Sequence, residues 1–237
     1  MRTKTTRRIG LRERPWAYSR NFQHMLGIFV EEPSSGLFFA EHTPEENVAL
    51  IACHFRRLPP QLQALGRELE LTFSTCEGAT ANGNSSTCYA DFKRRDRREI
   101  APHIEMGTRS LKPDMVLAHL AHEVCHLWWS SLRPGGRTAY MQYLIDSASP
   151  QSVEVTAYAQ EFFEDWLRCQ SIPDSEPYAS AHRQHYLEKW AAESFCETVA
   201  ALVDPHYPSR NEKSTVDLPA RRRKISELTG LEIGSLQ

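Results

Sequence analysis

His122, Glu123 and His126 stand in the run His119-Leu-Ala-His122-Glu123-Val-Cys-His126-Leu-Trp-Trp129. On an α-helix, positions i and i+4 share a face, with about 5–6 Å between them. Two imidazoles so placed can each offer a ring nitrogen to one zinc ion at roughly 2.0–2.1 Å. Glu123, next to the first histidine, is placed to take a proton from an attacking water. The H-E-x-x-H letters alone are a weak signal; their surroundings strengthen it. Apart from His119, His122, Glu123 and His126, residues 115–129 are all apolar. A helix that is apolar all round is a buried helix, and burying three imidazoles and a carboxylate is costly unless something binds them. A metal ion is the simplest such partner.

Residues 100–129, an extended segment followed by this helix, resemble the zincin metallopeptidases, and locally the SprT-type ones. The SprT pattern implies a third histidine soon after the motif, whereas no histidine stands between His126 and His182. The gluzincin pattern implies a glutamate instead, and two compete. Glu154, in SVEVTAYAQEFFEDWLR, resembles the arrangement of ImmA/IrrE-type peptidases. Glu193, in Glu193-Ser-Phe-Cys-Glu197, resembles the E-x-x-x-(D/E) helix of gluzincins. Helical phase separates the two. Val155, Tyr158, Ala159, Phe162, Phe163 and Trp166 make one face, which leaves Glu154 opposite with Glu161, Glu164, Asp165 and Arg168, as on a solvated surface. Glu193 and Glu197 are the only charges in residues 190–203, and they lie opposite the stripe Leu187, Ala191, Phe195, Val199. Buried carboxylates there need a partner. The expected zinc ligands are therefore His122, His126 and Glu193, with Glu123 as general base. Glu197 suits a carboxylate that orients a liganding histidine. Tyr186, two turns before Glu193, resembles the tyrosine ahead of the ligand in lethal-factor-like peptidases, which implies a hydrogen bond to the oxyanion; a packed tyrosine is an equal reading.

These groups need elements to hold them. Thr43-Pro44-Glu45-Glu46 starts a helix that Pro59-Pro60 stops, and a second helix covers roughly 60–69. Segments 69–74, 87–92 and 99–106 read as strands. Pro102 assigns the last of these to a sheet edge, where an extended substrate could add as a further strand. Residues 17–41 read as irregular around a Pro33–Gly36 turn. Helical patterns follow over about 113–130, over 138–147 after a break at Gly135-Gly136, over 151–168, from Pro177 to 203, and over 219–230 with a closing glycine. The expected fold is α+β: a mainly helical zincin-like domain, residues 17–237, with a small mixed or antiparallel sheet.

The 237 residues carry a net charge of −2, which exerts no global pull on nucleic acid or anionic membrane. No apolar run reaches the roughly 18 residues of a membrane span. Residues 1–16 hold six Lys or Arg against one Glu, the composition of a disordered tail; a nucleic-acid-binding arm and an export signal for a dedicated secretion system are its alternatives. Without the apolar core of a secretory signal, the expected location is cytoplasmic. Of the six cysteines, Cys53, Cys125 and Cys196 fall in apolar helical patterns as small core residues, and only Cys76 and Cys88 flank a loop that could be bridged. The expected activity is zinc-dependent hydrolysis of a protein or peptide substrate. A non-catalytic zinc-binding protein and a DNA-associated SprT-like protease are the rival readings.

Overall fold

Phe29, Leu37, Phe39, Phe73, Ile104 and Met106 are buried, and each lies on a strand of one mixed sheet. The computed structural model describes residues 6–8, 28–76, 86–89, 102–107, 111–207 and 210–234. The chain divides into two compact units, Met1–His119 and Leu120–Gln237. Strands β1 (Thr6–Arg8), β2 (Ile28–Glu32), β3 (Leu37–Ala40), β4 (Thr72–Cys76), β5 (Ser86–Tyr89) and β6 (His103–Gly107) form the sheet of the first unit in the order β1-β2-β3-β4-β6-β5. Helices α1 (Glu45–Phe55) and α2 (Pro60–Glu68) complete the described part of that unit. The class is α+β.

Several expectations change here. Residues 28–40 are a hairpin, not irregular chain, with Phe29 opposite Ala40 and Val30 opposite Phe39. Its turn is tied by the Glu32 carboxylate, which accepts from the Ser34 and Ser35 amides at 3.0 and 2.8 Å. Cys53 is exposed, whereas Cys125, Cys169 and Cys196 are buried. The third change concerns β6. It is not an edge strand: it pairs in parallel with β4 through Thr72↔His103 to Cys76↔Gly107 and antiparallel with β5 through Cys88↔Ile104. Pro102 sits just before the strand, where its missing N–H removes no ladder bond. Its carbonyl accepts from both the amide and the hydroxyl of Thr72, each at 2.9 Å. Strand addition along β6 is therefore closed. Of the basic tail, Thr6–Arg8 pair with β2. The basic run 93–98 and the side chains of Cys76 and Cys88 lie outside the described residues.

Helix α3 (Val116–Ser131) leads into the second unit, followed by α4 (Pro134–Ser147), α5 (Ala157–Gln170), α6 (Ala179–Val203) and α7 (Leu218–Thr229). Gly135 and Gly136 do not break the chain. They form the first turn of α4 behind Pro134, which favours a helix start, and a Cβ at Gly136 would stand 3.2 Å from the Leu228 carbonyl. Glycine is what lets α4 approach the end of α7. Gly230 ends α7 with φ +72, a conformation open to glycine at little cost. Helices α5 and α6 lock through Trp190, whose ring lies 4.9 Å from that of Phe163 and 4.8 Å from that of Trp166. Among the described residues, no helix is long and apolar enough to cross a membrane.

Candidate metal centre

Helix α3 meets α6 where the Trp129 ring lies 5.4 Å from Phe195, and Tyr140 of α4 closes edge-on over both, at 5.8 and 5.5 Å. This packing sets the facing surfaces of the two helices. On α3, His122 and His126 are one turn apart; on α6, so are Glu193 and Glu197. The Nε2 atoms of the two histidines stand 3.0 Å apart. Glu193 Oε2 lies 3.6 Å from each of them. A tetrahedral ion bonded at roughly 2.0–2.1 Å holds its ligand atoms about 3.3–3.4 Å from one another. The three distances straddle that edge length, and these three residues could hold a metal ion.

The chemistry of the donors agrees with the spacing. Burial pushes the His126 imidazole down to about 4, which keeps it neutral with a lone pair to give. Glu193 Oε2 is buried without a hydrogen-bond partner. Burial, reinforced by the charges of Glu123 and Glu197, pushes the Glu193 carboxyl up to about 8, against a small pull from Lys189. Glu197 is likewise pushed up to about 8 by burial, against hydrogen bonds from Tyr207 and Thr156. A divalent cation among these oxygens would relieve both the desolvation and the repulsion. Two nitrogens and a carboxylate oxygen form a donor set that suits a divalent transition metal, zinc and iron among them.

A supporting layer stands behind the donors. Glu197 Oε1 lies 3.5 Å from His122 Nδ1, the ring atom that faces away from the cluster. The Thr156 hydroxyl accepts from the Ala159 amide at 3.1 Å, capping α5, and its dipole eases the upward push of burial on Glu197. Glu123 is buried beside the group, at 6% exposure.

Glu154 is elsewhere and is not solvated. Thr156 is the cap of α5, so Glu154 precedes the helix, and the phase argument that put it on a charged face extends past the helix start. Its carboxylate is buried, accepting from Arg221 at 2.7 Å, Trp190 Nε1 at 2.8 Å and Ser194 Oγ at 3.2 Å. Burial opposes the charge of Arg221, but Glu154 together with Tyr140 and Tyr143 raises the guanidinium pKa overall. Arg221 also donates to Ser194 Oγ at 2.7 Å. Trp190, Ser194 and Thr198 recur every four residues along α6, so this pair grips the helix over successive turns and fixes the rotation that aims Glu193. The sequence hides Arg221 in the basic run Arg221-Arg222-Arg223-Lys224, although Ile225, one turn on and also buried, marks that face as inward.

Tyr186 is half-buried. Its ring meets His185 edge-on at 5.3 Å and underlies Lys189 Nζ at 5.9 Å. Tyr158, which sequence reasoning placed in a packing face, is the tyrosine that shares the field of the cluster. Burial, then the charges of Glu193, Glu123 and Glu197, push its phenol upward. Family models, curated proteins and solved structures were each compared with the chain, and none matches.

Proposed function

We propose that this protein is a zinc-dependent metallopeptidase with the zincin arrangement of a H-E-x-x-H helix and a distant glutamate ligand. The observation that carries the reading is the convergence of His122 Nε2, His126 Nε2 and Glu193 Oε2 at 3.0–3.6 Å, with Glu193 Oε2 buried and unpartnered. His122, His126 and Glu193 hold the ion, and Glu197 keeps the His122 ring in place through Nδ1. When bound there, zinc supplies Lewis acidity to a peptide carbonyl and to the attacking water. Glu123 accepts the proton of that water and returns it to the leaving amine nitrogen. Tyr158, whose phenol feels the charges of Glu193, Glu123 and Glu197, is the tyrosine assigned to donate a hydrogen bond to the carbonyl oxygen as charge develops on it.

Glu123→Gln tests the reading. It keeps one zinc per chain and loses proteolysis, because the ligands are intact and the base is gone. A comparison of new N-termini in a proteome treated with wild type or Glu123→Gln finds the substrates. Zinc retained with no cleavage by wild type would favour a binding protein on the same scaffold.

A further inference from the structure

Tyr158 and Tyr178, 43% and 50% exposed, are two of the few large hydrophobic residues left in solvent among the described residues. They are the ends of one strip. The Phe162 ring stands edge-on to Tyr158 at 5.2 Å. Lys189 Nζ lies 5.9 Å from the centroids of both Phe162 and Tyr186. The rings continue from Tyr186 to His182 at 6.3 Å and from His182 to Tyr178 at 5.1 Å. Tyr178, the cap of α6, is followed at four-residue intervals by His182 and Tyr186 on the helix, and Glu193 follows on their face. The strip thus runs along α6 to the carboxylates of the candidate centre.

Its spacing fits an extended polypeptide. Ring-bearing positions one helical turn apart are separated by about 6 Å along the axis. Alternate residues of an extended chain are separated by about 6.6–6.8 Å, with their side chains on one side. The charges beside the strip favour polypeptide over single-stranded nucleic acid. Arg168 is paired with Asp165 and Arg183 with Asp174, while Glu161, Glu164 and Glu188 add negative charge. A sugar–phosphate backbone needs a continuous basic groove beside its stacking rings.

We infer that this strip, from Tyr178 through His182 and Tyr186 to Phe162 and Tyr158, seats an extended substrate segment with aromatic or large apolar side chains at alternate positions. This rests on the peptidase reading and names the substrate class for the same site. The test uses the full-length, zinc-loaded Glu123→Gln protein, which allows binding to be measured without turnover. Two fluorescent decapeptides are compared, one with phenylalanine at alternate positions and one with alanine there, beside an oligothymidylate of similar length. The phenylalanine peptide binds about tenfold tighter than the alanine peptide. Tyr178→Ala with His182→Ala brings the two peptides within about twofold at unchanged zinc content, and Tyr178→Phe retains the preference. Equal affinities, a preference that survives the double substitution, or tighter binding of the oligothymidylate would each overturn the inference. Failure of the peptidase reading shows separately, as a zinc-loaded wild type that cuts nothing.

Discussion

Helix α6 carries two adjoining stripes that solve the burial of carboxylates in opposite ways. Along Trp190, Ser194 and Thr198 it closes on Glu154, which is 2% exposed and supplied by Arg221 at 2.7 Å with a charge and hydrogen bonds. Along Glu193 and Glu197 the carboxylates face the imidazoles of His122 and His126, and both are pushed up to about 8. The first stripe is complete within the chain. Among the described residues, the second has no salt bridge to an arginine or lysine, only to imidazoles. A buried charge with its guanidinium is architecture, whereas buried carboxylates beside imidazoles could hold a cation.

Breaking the completed stripe has the largest effect. Arg221→Met leaves Glu154 buried and unpaired and costs about 3–5 kcal/mol in denaturant unfolding; adding Glu154→Leu recovers much of that loss. If Arg221→Met were neutral, the ion pair would not be what secures α6.

A buried imidazole in the first unit sharpens the contrast. His103 is held between Thr72 Oγ1 and Ser74 Oγ, each at 2.9 Å, and burial lowers its pKa from 6.5 to about 4. Both of its nitrogens are satisfied from within the sheet. Because the folded pKa lies below the unfolded one, the neutral ring is no penalty above pH 6.5, and stability falls as pH drops from about 6.5 to about 4. The loss is about 3 kcal/mol. His103→Leu flattens that part of the pH–stability curve; a curve that kept its slope would place the titration elsewhere.

Filling the second stripe comes next in size. Zinc at about one hundred times its Kd stabilises the folded chain by about 2.7 kcal/mol, a gain absent in His122→Ala. Thr156→Ala has the smallest effect on the fold, about 1 kcal/mol for the lost cap of α5. It also removes the hydroxyl dipole beside Glu197, so zinc affinity falls by roughly 10–100-fold. A cap loss without an affinity loss would detach Glu197 from the centre.

What could be read from the residues follows from what is local. The α3 helix announced itself through an apolar run interrupted by four polar groups, and α7 through its proline start and glycine stop. The choice of Glu193 over Glu154 rested on helical phase. The structure brings Glu193 to the histidines, yet Glu154 avoids them for a different reason from the one phase suggested: it is buried against an arginine many residues away. No window of sequence contains that pairing. Pro102 misled for a related reason, since one residue decides whether a proline interrupts a ladder or merely precedes it. Tyr158 was visible only as part of an apolar stripe; its closeness to the carboxylates depends on how α5 packs on α6.

Zinc content of the purified chain, measured after dialysis for wild type, Glu193→Gln and Glu154→Gln, tests the central claim most directly. One zinc per chain in wild type and in Glu154→Gln, with a large loss in Glu193→Gln, is the predicted result. Zinc retained in Glu193→Gln and lost in folded Glu154→Gln would contradict the account.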